Sequence, residues 1–162
     1  GASEIFPDEY EKYISVIPED SRDNLIENFY KYLTSSDKTL RKKAANAWTR
    51  WELSTSHLIK KEFNISQNSD NSFSDAFSRI ECHYFINNIF LEDNFILNNI
   101  KLIEKIPTTI IQGRYDIVCP MRSAWDLHKK HKNSNLLIIP DAGHSMSEIG
   151  IIKELLNTTN NL

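Results

Sequence analysis

Pro107-Thr-Thr-Ile-Ile-Gln-Gly113 and Asn135-Leu-Leu-Ile-Ile-Pro140 are the two stretches that decide the fold of this 162-residue chain. Each is a short apolar run closed by Gly or Pro, the pattern of a buried parallel strand. A helical stretch from about Arg122 to His131 lies between them, and a last helix is expected from Ser147 to Leu156. Strand, helix and strand joined by short links make a βαβ unit, whose two strands run parallel. Two parallel strands are not stable alone, because such sheets need several strands with both faces covered. The unit is therefore expected to join strands of another chain, or to belong to a sheet most of which lies outside this sequence.

Ahead of Ile106 the apolar period is helical. Tyr10, Tyr13, Ile14 and Ile17 repeat at three- and four-residue steps between Pro7, suited to a first helical position, and Pro18. A second helix is expected from Ser21 to Leu33, with Leu25, Phe29, Tyr32 and Leu33 on one face. Asp37 is a good N-cap for a third, striped by Leu40, Ala44, Ala47, Trp48 and Trp51. Asn64 to Ser72 reads as a polar loop, followed by helices over about Ser74–Asn87 and Asp93–Glu104.

Composition narrows the function classes. A formal net charge of −3 gives no footing for a nucleic-acid binder held by phosphate contacts. No apolar run approaches the roughly 20 residues that span a bilayer. Cys82 and Cys119 are the only cysteines and lie far apart, so a reducing, cytoplasmic setting is expected rather than a disulfide framework. The start, Gly1-Ala2-Ser3, lacks the basic-then-apolar order of a secretory signal. His128 and His131 stand three apart without a suitably spaced third ligand; they are expected at the surface, with no metal.

The strand ends carry the chemistry. Gly113-Arg-Tyr-Asp116 follows the first strand and Asp141-Ala-Gly-His-Ser145 the second. Functional groups gather beyond the carboxyl ends of strands in doubly wound sheets, so Asp116 and His144 can meet at one rim. A carboxylate that accepts from Nδ1–H fixes the tautomer and leaves Nε2 as a base. Taken singly, a capping Asp and a turn His are the plainer readings; their paired placement favours the dyad. In α/β-hydrolases the chain order is Ser, then Asp or Glu, then His, and the second and third members stand here in that order.

Gly113-Arg-Tyr-Asp-Ile-Val-Cys-Pro120, Ser123-Ala-Trp-Asp-Leu127 and Pro140-Asp-Ala-Gly-His-Ser145 resemble the C-terminal part of proline iminopeptidases. Ala47-Trp-Thr-Arg-Trp-Glu52 and Ala76-Phe-Ser-Arg-Ile-Glu-Cys-His-Tyr-Phe85 resemble the cap of the same family, so the likeness runs from about Phe6 to the end. The resemblance implies a partial α/β-hydrolase fold. Residues 1–105 would be a helical cap, and residues 106–162 the last two parallel strands and helices of the catalytic domain. Asp116 and His144 would be the acid and base of a serine triad. Glu52 and Glu81 would hold the amine of an N-terminal proline, with Phe85 as a wall of its site.

The local pattern offers independent support. Phe77, Glu81 and Phe85 are spaced by four and form one helical ridge, with Ala76, Ile80 and Tyr84 on the adjoining one. An acid between aromatic rings suits a pyrrolidine bearing a cationic amine; the plainer alternative is a boundary carboxylate reaching water. No cofactor, organic or metal, is implied. The sequence contains no Gly-x-Ser-x-Gly, and its four glycines include none flanking a serine in that manner. The nucleophile-bearing N-terminal half is thus expected to be a missing partner, without which the chain would be inactive. Self-association through an exposed strand edge is also expected. Another α/β-hydrolase, such as an esterase or epoxide hydrolase, and a non-catalytic helical interaction fragment remain as rivals.

Overall fold

Pro7 takes the first position of helix α2 (Pro7–Ile14), where its missing N–H costs nothing, in the computed structural model, which describes residues 1–59 and 72–161. A single turn, α1 (Ala2–Ile5), precedes it. The polar stretch expected as a loop at 64–72 lies outside the described residues except for Ser72, which opens a helix. The described residues pack as two units, one made of 3–54 and 72–92, the other of 55–59 and 93–161.

The first unit is helical. α3 spans Leu25–Leu33, and Glu19–Asn24 forms a 3₁₀ segment where a continuous α-helix from Ser21 was expected. Polar side chains here bond backbone carbonyls: Asn28 Nδ2 donates to Ser21 O and Asn24 O, and Arg22 Nε to Ile17 O. Such bonds compete with the regular helical ladder. α4 (Lys38–Ser56) begins as expected after Asp37, whose Oδ1 accepts the N–H groups of Thr39 and Leu40. Its Ala44, Ala45 and Trp48 are buried beside Ile17, Phe29 and Leu33. Tyr13 lies flat on Phe29 at 4.5 Å between ring centroids and meets Trp48 edge-on at 5.9 Å. Glu9 is also in this interior, at 2% exposure, accepting from Arg50 Nε at 2.7 Å and Nη2 at 3.1 Å and from Lys12 Nζ at 3.1 Å.

α5 (Ser72–Ile86) buries Ser74, Ser78 and Cys82, a row of small residues that lets it approach α3 closely, while Ile80 and Tyr84 face solvent. Asn88, Ile89 and Phe90 then take successive positive φ values, an arrangement that L-residues with side chains rarely adopt.

In the second unit the helix expected over 93–104 is broken into α6 (Phe95–Asn98) and a 3₁₀ turn at Ile100–Leu102. Asn94, left-handed, precedes α6, and Asn99, whose Nδ2 donates back to Phe95 O, ends it and opens the 3₁₀ turn. β1 (Thr108–Gly113) and β2 (Ser134–Ile139) pair in parallel, with Thr108 opposite Ser134 and Gly113 opposite Ile139. α7 (Met121–Lys130) is the crossover between them, and α8 (Ile149–Asn160) follows. A Cβ on Gly150 would come within 2.5 Å of Ile139 Cγ2, which is how close α8 lies to β2. Ile110, Ile111, Leu136, Leu137 and Ile138 are only partly buried. Each strand pairs along one edge among the described residues, and that is too little sheet to bury these side chains fully.

His131, expected at the surface, is buried at 1% exposure. Its Nε2 lies 3.0 Å from Thr108 Oγ1 and 3.1 Å from Ile106 O, because the chain turns inward at the end of α7 to enter β2. His128 Nδ1 meets Ser134 Oγ at 2.9 Å.

Candidate active site

The turn after β1 is built around one carboxylate. Asp116 is buried, and its Oδ1 accepts the N–H groups of Val118 at 3.0 Å and Cys119 at 2.8 Å. Its Oδ2 accepts from Gln112 Nε2 at 3.0 Å, and the same amide donates to Cys119 O. All these donors lie between residues 112 and 119, so the acid is fixed locally. Gly113 must be glycine, since a Cβ there would collide with the Gly143 and Ala142 carbonyls. That close approach brings the turns after β1 and β2 together, and Tyr115 N donates to Ala142 O.

The second turn carries His144, whose Nδ1 lies 2.9 Å from Asp116 Oδ2. The carboxylate oxygen accepts, so Nδ1 bears the proton and Nε2 is the nitrogen left for other chemistry. Cys119 and Asp116 beside the ring, against the opposing effect of partial burial, raise the imidazole from 6.5 to about 9. Tyr115 is exposed, and Ser145 Oγ bonds Ser147, so neither touches the Asp116–His144 pair through its side chain.

Glu52, Glu81 and Phe85 all belong to the first unit. Trp48 Nε1 donates to Glu81 Oε2 at 2.6 Å, and the Trp48 ring lies 5.9 Å from that of Phe85. Burial, then Glu52, Cys82, Tyr10 and Glu81, push the Tyr13 hydroxyl well above the usual tyrosine range. Both glutamates therefore place negative charge near one aromatic group. Burial first and Glu81 second raise the Cys82 thiol to about 11. The sequence gives no sign that the Trp48 indole N–H is spent on Glu81 of the other helix, 33 positions away. Sequence reasoning also missed Gln112 and Cys119 around the Asp116–His144 pair, although an Asp followed closely by free N–H groups is a signal for a local turn. Among the described residues, no group of three or more His, Cys, Asp or Glu gathers as a metal site, and no helix is long and apolar enough to cross a membrane.

A parallel β-α-β unit with an Asp–His pair at its carboxyl rim has the layout of a hydrolase rim, and residues 1–150 match the α/β-hydrolase fold family. The chain belongs to that family. It is 52% identical, over 98% of its own length and 50% of the relative's, to the probable proline iminopeptidase of Leptolyngbya boryana. It is 46% identical to the proline iminopeptidase of Arabidopsis thaliana, over 96% of this chain and 42% of that protein. Over its whole length it is 36% identical to that of Neisseria meningitidis serogroup A, covering 51% of it. The chain spans about half the length of these curated relatives.

Proposed function

We propose that this chain is the acid- and base-bearing part of a serine-type aminopeptidase that releases N-terminal proline from peptides. The observation that carries the reading is the 2.9 Å contact of His144 Nδ1 with Asp116 Oδ2 beyond the ends of two parallel strands. The names of the relatives support the substrate class. Residues 1–105 serve as the helical cap and 106–162 as the C-terminal segment of the catalytic domain; the turns between 93 and 105, which pack with the second unit, make the connection.

In this mechanism a serine supplied by the partner half attacks the prolyl carbonyl. His144 Nε2 takes the hydroxyl proton and gives it to the leaving amine, then takes a proton from the water that hydrolyses the prolyl ester and returns it to the serine, while Asp116 holds Nδ1. Glu52 and Glu81 neutralise the prolyl amine, which is cationic below about 8, and Phe85 walls the pyrrolidine. Two lone cysteines fit a reducing compartment such as the cytoplasm.

The test is a chimera in which this chain replaces the matching segment of the Leptolyngbya boryana protein, assayed with prolyl-β-naphthylamide. Turnover is expected, with His144→Ala removing about three or more powers of ten. Glu81→Gln is expected to raise KM more than it lowers kcat. The chain alone, lacking a nucleophile elbow, is expected to give none. A folded chimera that cleaves simple esters but no prolyl substrate overturns the peptidase reading in favour of an esterase.

A further inference from the structure

The His144 turn is fastened by groups that the proposed chemistry does not use. Ser56 O accepts two N–H groups, from His144 at 2.9 Å and Ser145 at 2.8 Å. Glu148 Oε1 also accepts two, from Leu58 at 2.7 Å and Gly143 at 3.2 Å. Ser147 Oγ lies 3.1 Å from His57 Nε2 and 2.8 Å from Ser145 Oγ. A Cβ on Gly143 would sit 2.8 Å from Leu58 N and 3.2 Å from Ser56 O, so only glycine admits the approach. Residues 55–59 and 141–148 pack in the same unit.

Glu148 is the residue that needs explaining. It occupies the N-cap position of α8, yet its side chain makes no capping bond there. The positive end of a helix ordinarily draws such a carboxylate, and Ser, Thr, Asp and Asn are the better caps. Here the carboxylate turns to two backbone donors instead, one on each of the segments it joins. Asp116 is held by its own turn, whereas the His144 turn is held by contacts with residues 56–58.

We propose that Glu148 is a positioning residue for His144, its carboxylate tying Gly143 to Leu58 so that the turn on Ser56 O presents the imidazole to Asp116. The functional meaning rests on the role proposed for His144; the tether does not. Glutamine keeps an accepting oxygen at the same reach, and alanine does not.

The experiment is a pH titration of the histidine ring nitrogens by NMR in the 162-residue chain, with the amide signals of β1 and β2 reporting that the fold of the second unit persists. His144 is expected to titrate near 9 in the unaltered chain and in Glu148→Gln. In Glu148→Ala its midpoint falls towards 6.5, its Nδ1–H signal is lost, and the Leu58 and Gly143 amides exchange at least about tenfold faster. A folded Glu148→Ala chain with unchanged His144 midpoint and Nδ1–H signal overturns the proposal. So do unprotected Leu58 and Gly143 amides in the unaltered chain, a measurement that survives if the alanine variant does not fold. No readout involves turnover, so an inactive chimera leaves this result standing, and loss of the tether leaves the peptidase reading standing.

Discussion

His144 holds its imidazole beside two groups that favour its charged form, Cys119 first and Asp116 second. Cys119→Ser and Asp116→Asn are therefore each expected to lower its midpoint, measured by NMR titration. Folding raises this pKa from 6.5 to about 9, so the ring's contribution to stability is complete below about 6.5 and is lost as pH rises through about 9. Denaturant midpoints of the unaltered chain should fall over that window more than those of His144→Ala. A general base works only when neutral, so kcat/KM of the chimera should climb with pH from 6 to about 8, above which loss of the prolyl amine's charge offsets the gain. A flat profile from pH 6 to 9 would contradict it.

At the scale of elements, two contacts decide how the helices of the first unit lock. α2 and α4 are joined by Glu9 and Arg50, a bidentate pair whose acid is 2% exposed. Lys12 adds one contact from a half-exposed side chain. Arg50→Ala is expected to cost about 2–4 kcal/mol, because a buried carboxylate loses its main counter-charge, and Lys12→Ala under about 1 kcal/mol. Urea denaturation orders the two, and equal costs would deny the pair its special place. α5 depends on smallness instead. Ser78 is wholly buried and its Oγ bonds Ser74 O at 2.6 Å. Ser78→Leu should cost about 1–3 kcal/mol by overpacking, while Ile80→Ala, on the exposed face, should stay within about 0.5 kcal/mol.

For the whole molecule the deciding feature is the small sheet. β1 and β2 leave Ile110, Ile111, Leu136, Leu137 and Ile138 partly uncovered, and each strand has one edge unpaired among the described residues. Open parallel edges recruit further strands. Sedimentation at micromolar concentration is expected to show association of the chain with itself, and a clean monomer would count against it.

The βαβ unit, the helical first part and the placement of Asp116 and His144 at strand ends were legible because each follows from local pattern: apolar runs, period and turn residues. The strand bounds at 108–113 and 134–139 fall within a residue or so of the expected ones for the same reason. The partners of buried polar groups were not legible. Trp48 meets Glu81 across 33 positions, Glu9 meets Arg50 across 41, and Leu58 meets Glu148 across 90. Sequence by itself determined which residues could form helices and strands and which could do acid–base chemistry. Tertiary structure alone decided which charges became buried and satisfied, since a desolvated polar group takes whatever donor or acceptor the packing brings near, however distant along the chain.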